Sequence, residues 1–366
     1  MMRRALEFAA RGKGTTAPNP CVGALLVREG EVVAEGWHER CGGPHAEVNC
    51  LRHAAERGVD PASCDMYVTL EPCNHYGKTP PCSKAVFEAG IRRVFIGCAD
   101  PNPDVTGGGA AFLRENGVEV IKGVLERECL DMIADFRLWK GTDRTYNILK
   151  MAATLDGKIA ARTGHSAWVS CEASRQGVQA LRAMAGAVLV GGGTFRQDDP
   201  RLTVRDADGT PAGAQPLAVV ATSRLPGPGE NRHLLRERPD QTIFWTNASS
   251  AESDAADALR SLGVRVWALG PRGALDFAQG FARLRSEAGC HYAVCEGGGG
   301  LAMSLLEQGM VDEFRLYLAP KVVGDRDAIS LFSGREIADM GQALCLRFAG
   351  VSPSGDDLLV TLRPPV

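Results

Sequence analysis

The chain of 366 residues is poor in aromatic side chains, 6% of the total, and holds no apolar run long enough to span a bilayer. It also lacks a basic excess: 41 Lys and Arg stand against 44 Asp and Glu, for a net charge of -3. A dedicated nucleic-acid binder more often shows a surplus of cations, so that class loses weight. The opening stretch MMRRALEFAARGKG has a basic pair but neither an apolar h-region nor a small-residue cleavage site. It reads as an amphipathic helix offering Leu6, Phe8, Ala9 and Ala10 to a core, and a cytoplasmic location is expected. No internal repeat and no long low-complexity segment is visible, so the two halves are not copies of one another. With 45% apolar and 23% charged residues, the length and composition suit two ordinary domains.

Cysteine is not scarce. Twelve cysteines without a secretory signal suit a reducing compartment, where spaced Cys and His serve metal binding or catalysis more often than disulfides. The first ~145 residues alternate short apolar runs with helical patterns, as in an α/β layer fold. CVGALLVREGEVVAEGWH reads as a hairpin about Arg28-Glu29-Gly30, HAEVNCLRHAAERG as a helix, and DMYVTLEPC as a strand running into cysteine. FRLWKGTDRTY is a helix end and connector, which sets the expected domains at 1–143 and 144–366. The second half repeats an α/β pattern, with strands in AGAVLVGGG, PLAVVAT, TIFWTN, VRVWAL, HYAVCEGGGG and VDEFRLYLAP.

Two short stretches, PHAEVNCL and EPCNHYGKTPPC, carry the first candidate site. His45, Cys73 and Cys82 supply three good zinc ligands, and a catalytic zinc keeps three protein ligands and one open position. Glu47 stands two residues beyond His45, beside the metal without being a ligand. Pro44 and Pro81 are expected to open the helices that carry His45 and Cys82, and helix N-termini favour thiolate. Zinc lowers the pKa of a bound water to about 7. Glu47 would take its proton, pass it to a ring nitrogen, and later protonate a departing amine, the machinery of hydrolytic deamination. A structural zinc site would need a fourth ligand, for which Cys41, Cys50 and Cys64 lie near, but would give Glu47 no role. By themselves His38 and His53 are core or surface histidines, and Asn19 between two prolines is a turn former.

HAE followed by EPC resembles the cytidine-deaminase superfamily. Eight residues, NHYGKTPP, separate Cys73 from Cys82 where the generic pattern has two. That longer loop, with PNPCVGA and DPNP, is similar to the bifunctional deaminase/reductase family of riboflavin biosynthesis, and the whole chain matches its layout. The resemblance implies a three-layer α/β/α deaminase followed by a dihydrofolate-reductase-like α/β domain. It assigns metal binding to His45, Cys73 and Cys82, proton shuttling to Glu47, and the pyrimidine ribosyl phosphate pocket to Asn19, His38, His75 and Lys78. The substrate implied is 2,5-diamino-6-(5-phosphoribosylamino)pyrimidin-4(3H)-one.

The second half has no Rossmann fingerprint. Two strands end in glycine clusters, VLVGGGTF and VCEGGGGL, the latter followed by a helix, and such turns let a ligand approach the backbone closely. Many are plain tight turns. LKMAATLDGKIA, SAWVS, GGGTFRQDDPRLTVR and CEGGGGL resemble the family's reductase domain, which uses NADPH to reduce the ribosyl group. The resemblance implies cofactor contacts at Ala152, Trp168, Thr194, Asp198, Ser223 and Gly297, Gly298, Gly299 and Gly300. It implies substrate contacts at Ser166, Arg182, Leu202, Arg205 and Glu296, the arginines suiting a phosphate. Lys150 and Glu296 are expected to handle the sugar or its protons. Asp156 is either a turn former or a pocket residue, and Ser223-Arg224 either meets the NADPH 2′-phosphate or makes a turn. The preference for NADPH over NADH rests on the resemblance. The competing readings are a nucleoside or tRNA deaminase, against which the long cysteine loop speaks, and a second half serving only as a binding or dimerisation module. A homo-oligomer is expected, with no nucleic-acid or membrane partner.

Overall fold

Strands β1 (Gly23–Arg28) and β2 (Glu31–Trp37) form the expected hairpin, and both turn residues are left-handed, Glu29 at φ 53 and Gly30 at φ 82. That geometry matches the twist of a two-residue antiparallel turn. The computed structural model describes residues 1–75, 80–102, 108–227, 229–271 and 273–365. The chain folds as two compact units, Met1–Thr142 and Asp143–Val366.

In the first unit β3 (Asp65–Leu70), β4 (Arg93–Cys98) and β5 (Glu119–Lys122) join the hairpin in a five-stranded sheet ordered β2-β1-β3-β4-β5. The β1–β2 and β1–β3 pairs are antiparallel, and β3–β4 and β4–β5 parallel. Helices α1 (Met2–Ala10), α5 (Glu126–Met132) and α6 (Ala134–Gly141) pack as one layer. The other layer holds α2 (Ala46–Glu56), α3 (Cys82–Glu88) and α4 (Gly109–Glu115). With helices on both faces, β1 is buried along its length except at Arg28, which is why its sequence is a continuous apolar run and does not alternate. Helix α2 lies close over β2 because Gly36 has no side chain: a Cβ there would fall 2.7 Å from the Ala46 carbonyl oxygen.

The second unit is built on a nine-stranded sheet. Its strands are β6 (Tyr146–Thr154), β8 (Ala187–Gly191), β9 (Leu217–Ala221), β10 (Thr242–Thr246), β11 (Arg265–Ala268), β12 (Tyr292–Cys295), β13 (Glu313–Ala319), β15 (Arg347–Ser354) and β16 (Asp357–Arg363). Short strands β7 (Lys158–Ala160) and β14 (Ile329–Ser330) pair separately. The order β11-β10-β9-β8-β12-β6-β13-β16-β15 is parallel from β11 to β13 and antiparallel beyond. The helices are α7 (Glu172–Met184), α8 (Gly192–Asp198), α9 (His233–Glu237), α10 (Ala248–Ala251), α11 (Asp254–Ser261), α12 (Phe277–Ser286) and α13 (Gly299–Glu307). The chain leaves β6, skips one place to β8, runs outward to β11, and returns to insert β12 into the gap. A reversal of this kind opens a crevice at the carboxyl ends of the parallel strands, where ligands bind in such sheets.

Two sequence expectations need correction. Pro44 and Pro81 do not sit inside the helices: Pro81 is the N-cap of α3, and His45 is itself the N-cap of α2, leaving Pro44 one residue outside. The hairpin β15–β16 has no counterpart among the expected strands. β15 is exposed over nearly all its length and contains Gly350 and Pro353, so it shows neither an apolar run nor a buried alternation.

Candidate active sites

The first site gathers at the carboxyl end of β3 and the N-termini of α2 and α3. His45 presents Nδ1 3.5 Å from Cys73 Sγ and 3.3 Å from Cys82 Sγ. These three ligand atoms all lie within 4.8 Å of one another. One metal at about 2.0–2.3 Å from each would need such spacings. The backbone N–H of Cys82 donates to Cys73 Sγ at 3.4 Å. Hydrogen bonding from Cys82 and from His45 holds the Cys73 thiol far below its ordinary value, while the shared proton and burial push Cys82 up. Two thiols that ionise one at the expense of the other, facing a histidine, form a donor set that a divalent zinc ion satisfies. Among the described residues no fourth side chain joins this cluster, and neither Cys50 nor Cys64, both buried, nor the exposed Cys41 belongs to it.

Glu47, in the first turn of α2, is 3% exposed. Burial pushes its carboxyl up to about 7, and it bonds the Cys82 thiol. His38 is equally buried. Its Nδ1 lies 2.9 Å from the Pro44 carbonyl, to which only N–H can donate, so Nε2 is left as an acceptor for the Asn19 amide at 3.1 Å. Burial lowers the His38 pKa, which keeps this neutral tautomer. Asn19 is thereby fixed with its amide nitrogen toward His38 and its carbonyl oxygen unused by that bond. A cavity of about 330 Å³ is lined by Asn19, His38, His45, Glu47, Cys73 and His75. Lys78 lies outside the described residues. Sequence reasoning missed Glu71, Asp100, Asn102 and Lys140, which line the same cavity. Glu71 accepts from the Ala110 N–H at 3.1 Å and from Lys122 at 2.8 Å, tying the Cys73 loop to α4 and β5. His53 bonds the backbone of Glu35 and stands away from the site, as a structural histidine does.

The second site lies in the crevice at β6, β8 and β12. A cavity of about 380 Å³ brings together Lys150, Ala152, Ser166, Trp168, Thr194, Asp198, Glu296, Gly297, Gly298 and Gly299. Arg182 reaches Glu296 from α7 through two hydrogen bonds, Nε to Oε1 at 2.6 Å and Nη2 to Oε2 at 2.8 Å. Burial would raise the Glu296 carboxyl, but Arg182, Lys150 and Arg205 outweigh it and hold the group below its ordinary range. Lys150 keeps some accessible surface, yet its packed surroundings lower the ammonium pKa against the pull of Glu296. Trp168 is 69% exposed, with the Arg175 guanidinium 4.7 Å over its ring.

The glycine loop fits a nucleotide. A Cβ on Gly193, in the first turn of α8, would meet nothing within 4 Å, and one on Gly298, the N-cap of α13, only Thr194 Oγ1 at 3.7 Å, so the backbone at both helix starts borders open space that side chains would fill. Gly299 serves packing instead, since a Cβ there would meet the Ser330 carbonyl oxygen at 2.8 Å. Gly300, Ser223, Arg182, Leu202 and Arg205 are not among the cavity's lining residues, though Arg182 bonds Glu296, which is. Ser223 follows β9, with its carbonyl bound by the Ser250 hydroxyl at 2.7 Å. Leu202 is buried, and Arg205 is exposed with its charge acting on Glu296. Asp156 resolves as a clamp: its carboxylate accepts from Thr154 Oγ1 at 2.6 Å and from the N–H groups of Val323 and Gly324 at 3.1 and 2.8 Å.

Two family models match separate parts of the chain. Residues 1–98 match the cytidine and deoxycytidylate deaminase zinc-binding region, and residues 145–360 match the RibD C-terminal domain. The riboflavin biosynthesis protein RibD of Actinobacillus pleuropneumoniae is 39% identical over 98% of this chain and 93% of its own length. That of Escherichia coli (strain K12) is 35% identical over 95% and 98%. Among solved structures, a diaminohydroxyphosphoribosylaminopyrimidine deaminase/5-amino-6-(5-phosphoribosylamino)uracil reductase from Thermotoga maritima superposes with a TM-score of 0.73 at 34% identity, covering 100% of this chain and 97% of that one. Acinetobacter baumannii RibD gives 0.72 at 33% identity, covering 100% and 98%.

Proposed function

The chain belongs to the RibD family of riboflavin-biosynthesis proteins, bifunctional deaminases and 5-amino-6-(5-phosphoribosylamino)uracil reductases, and on that premise we propose which of its residues carry each reaction. His45, Cys73 and Cys82 hold one zinc ion. When bound, zinc makes a coordinated water acidic enough to act at neutral pH, with a pKa of about 7. The substrate is the diaminopyrimidine ribosyl phosphate. Glu47 takes one proton from water and passes it to the ring nitrogen, then takes the second proton of that water from the resulting hydroxyl and gives it to the amine, which leaves as ammonia. Its burial suits a group that must both accept and release a proton near neutral pH. Asn19, oriented by His38, offers its carbonyl oxygen to an N–H of the pyrimidine edge. His75 and Lys78 meet polar groups of the substrate.

In the second unit the cofactor is NADPH, which when bound supplies the hydride for the sugar's first carbon. Thr194, Asp198 and the loop backbone at Gly297 and Gly298 hold its phosphates and ribose, beside the exposed Trp168. Arg224 next to Ser223, and Arg196, whose Nη1 reaches the Arg224 carbonyl at 3.4 Å, are two cations that support recognition of a 2′-phosphate. Lys150 and Glu296 orient the opened sugar and handle its protons, with Arg182 fixing the carboxylate. Arg205 and the backbone at Leu202 meet the ribosyl phosphate.

The observation that carries this reading is the convergence of His45, Cys73 and Cys82 beside a buried Glu47. The test supplies the diaminopyrimidine ribosyl phosphate and NADPH and follows ammonia release and NADPH loss separately. Glu47→Ala is expected to cut ammonia release by at least roughly a hundredfold while still reducing the supplied deaminated intermediate. Retention of ammonia release by that variant would remove Glu47 from the mechanism.

The expected homo-oligomer also finds support. β15 is an edge strand, and Phe348 and Val351 on it are 69% and 59% exposed, the kind of apolar edge that pairs with another copy. Sedimentation of the full chain should show a dimer or larger species that Val351→Asp shifts toward monomer. A monomeric wild type at micromolar concentration ends that part of the proposal.

A further inference from the structure

The segment 199–205 carries Leu202 and Arg205, and its backbone is unusual. Asp199 has φ 43 and Leu202 φ 51, left-handed values that non-glycine residues seldom adopt. Such conformations persist only where the surroundings fix them. The segment is held by Arg182, whose Nη1 donates to the Thr203 carbonyl at 2.8 Å while its other nitrogens bind Glu296. The Arg205 N–H donates to Gln179 Oε1 at 3.0 Å, on the same helix as Arg182.

Arg238, 8% exposed and outside the lining of the reductase cavity, holds the same segment. Its Nη1 donates to the carbonyl oxygens of Arg201 at 2.8 Å and Leu202 at 3.1 Å. Nη2 donates to the Pro216 carbonyl and to Gln241 Oε1, and Nε donates to Gln241 Oε1. The guanidinium has five N–H donors, and these bonds engage them all on neutral oxygens. A planar fork is suited to hold two successive carbonyls of a turned backbone, which a point-charge ammonium cannot copy. Two neighbours reinforce the grip: Asp199 Oδ1 accepts from the His233 N–H at 2.9 Å, and Arg201 pairs with Glu237 at 3.0 Å. The Leu202 side chain packs with Phe195, Leu234 and Leu235.

We infer that Arg238 is a positioning residue for the reductase: it fixes the left-handed turn at Leu202, and through it the placement of Leu202 and Arg205 against the phosphoribosyl substrate. The inference rests on the reading above that these two residues face that substrate. Arg238 touches no reacting atom, so its effect falls on substrate binding and not on the cofactor or the chemical step.

The test uses the full chain with NADPH and 5-amino-6-(5-phosphoribosylamino)uracil, comparing Arg238→Gln, Arg238→Lys and Arg205→Gln. Arg238→Gln is expected to raise KM for the uracil substrate ten- to roughly a hundredfold, as for a catalytic or binding group displaced by about 1 Å. Its kcat and its KM for NADPH should stay within about twofold. Arg238→Lys should fall between wild type and Arg238→Gln. An unchanged substrate KM in Arg238→Gln, or a parallel fall of kcat and NADPH binding in Arg238→Lys, overturns the inference. If Arg238→Gln loses NADPH binding altogether, the unit has come apart and Arg238→Lys decides: a raised substrate KM alone supports the role, an unchanged one overturns it. Arg205→Gln separates the two levels. An unchanged KM there overturns the reading on which the inference rests, whereas a raised KM there with an unchanged KM in both Arg238 variants overturns the inference alone.

Discussion

At the scale of single residues, the reductase cavity turns on the Arg182–Glu296 pair. Their side chains are only 11% and 13% exposed, so removing one partner leaves a charge without its counter-charge in a poorly hydrated place. Arg182→Ala is expected to cost the second unit about 3–5 kcal/mol. The pair also carries a pH signature. Glu296 has a folded pKa held below its unfolded value, so its contribution to stability is present above the ordinary carboxylate range and is lost as pH falls through the lowered value. The difference in Tm between wild type and Glu296→Gln should therefore be widest near neutral pH and shrink on acidification below that range. A difference that stays constant down to roughly pH 3 contradicts the assignment. The zinc ligands were legible in the sequence because their chemistry restricts each position to very few residue types. Arg238 was not, since a guanidinium bound to carbonyls leaves no spacing or motif. Asp100, Asn102 and Lys140 were invisible for a related reason: they reach the deaminase cavity from segments distant in sequence, and only the fold brings them to it.

At the scale of elements, the deaminase site depends on how closely α2 rides over β2. His45 caps α2 and Glu47 lies in its first turn, so any lift of the helix moves a member of the metal-ligand cluster and the proposed proton carrier together. Gly36 is the point of contact, with the Ala46 carbonyl oxygen and the Asn49 carbonyl carbon at 2.7 and 2.8 Å from where a Cβ would sit. Both are backbone atoms of the helix, which cannot rotate away. Overpacking of this kind costs about 1–3 kcal/mol or forces a backbone shift. Gly36→Ala should therefore lose zinc on dialysis and most ammonia release, while NADPH oxidation on the deaminated intermediate continues. Metal analysis beside the two assays checks it, and full zinc occupancy with normal ammonia release would show that α2 can accommodate the methyl group. Element boundaries were readable where a face is buried: β1, β8 and β12 stood out as apolar runs because helices cover both sides of them. β15 was unreadable because its exposed residues owe nothing to a core, so no pattern of apolar spacing was imposed on them.

At the scale of the whole molecule, each unit closes its own apolar core. In the first, Leu25, Met66 and Ile96 are fully buried with α1 and α2 packed over them; in the second, Trp245, Phe281 and Phe195 fill clusters on the nine-stranded sheet. A ligand stabilises the folded form of whatever unit holds its site, by about 2.7 kcal/mol at a hundred times its dissociation constant. On the proposal above, zinc binds His45, Cys73 and Cys82 of the first unit, and NADPH the crevice of the second. The two ligands are therefore expected to act on different transitions in a calorimetric scan of the full chain. Chelation of zinc should lower the transition of the first unit and abolish ammonia release. Saturating NADPH should raise the other transition, leave the first in place, and do so equally in Cys82→Ser. A single transition that both ligands move together would mean that the two cores unfold as one cooperative body, and the independence of the two activities would then have to come from their sites and not from their folds.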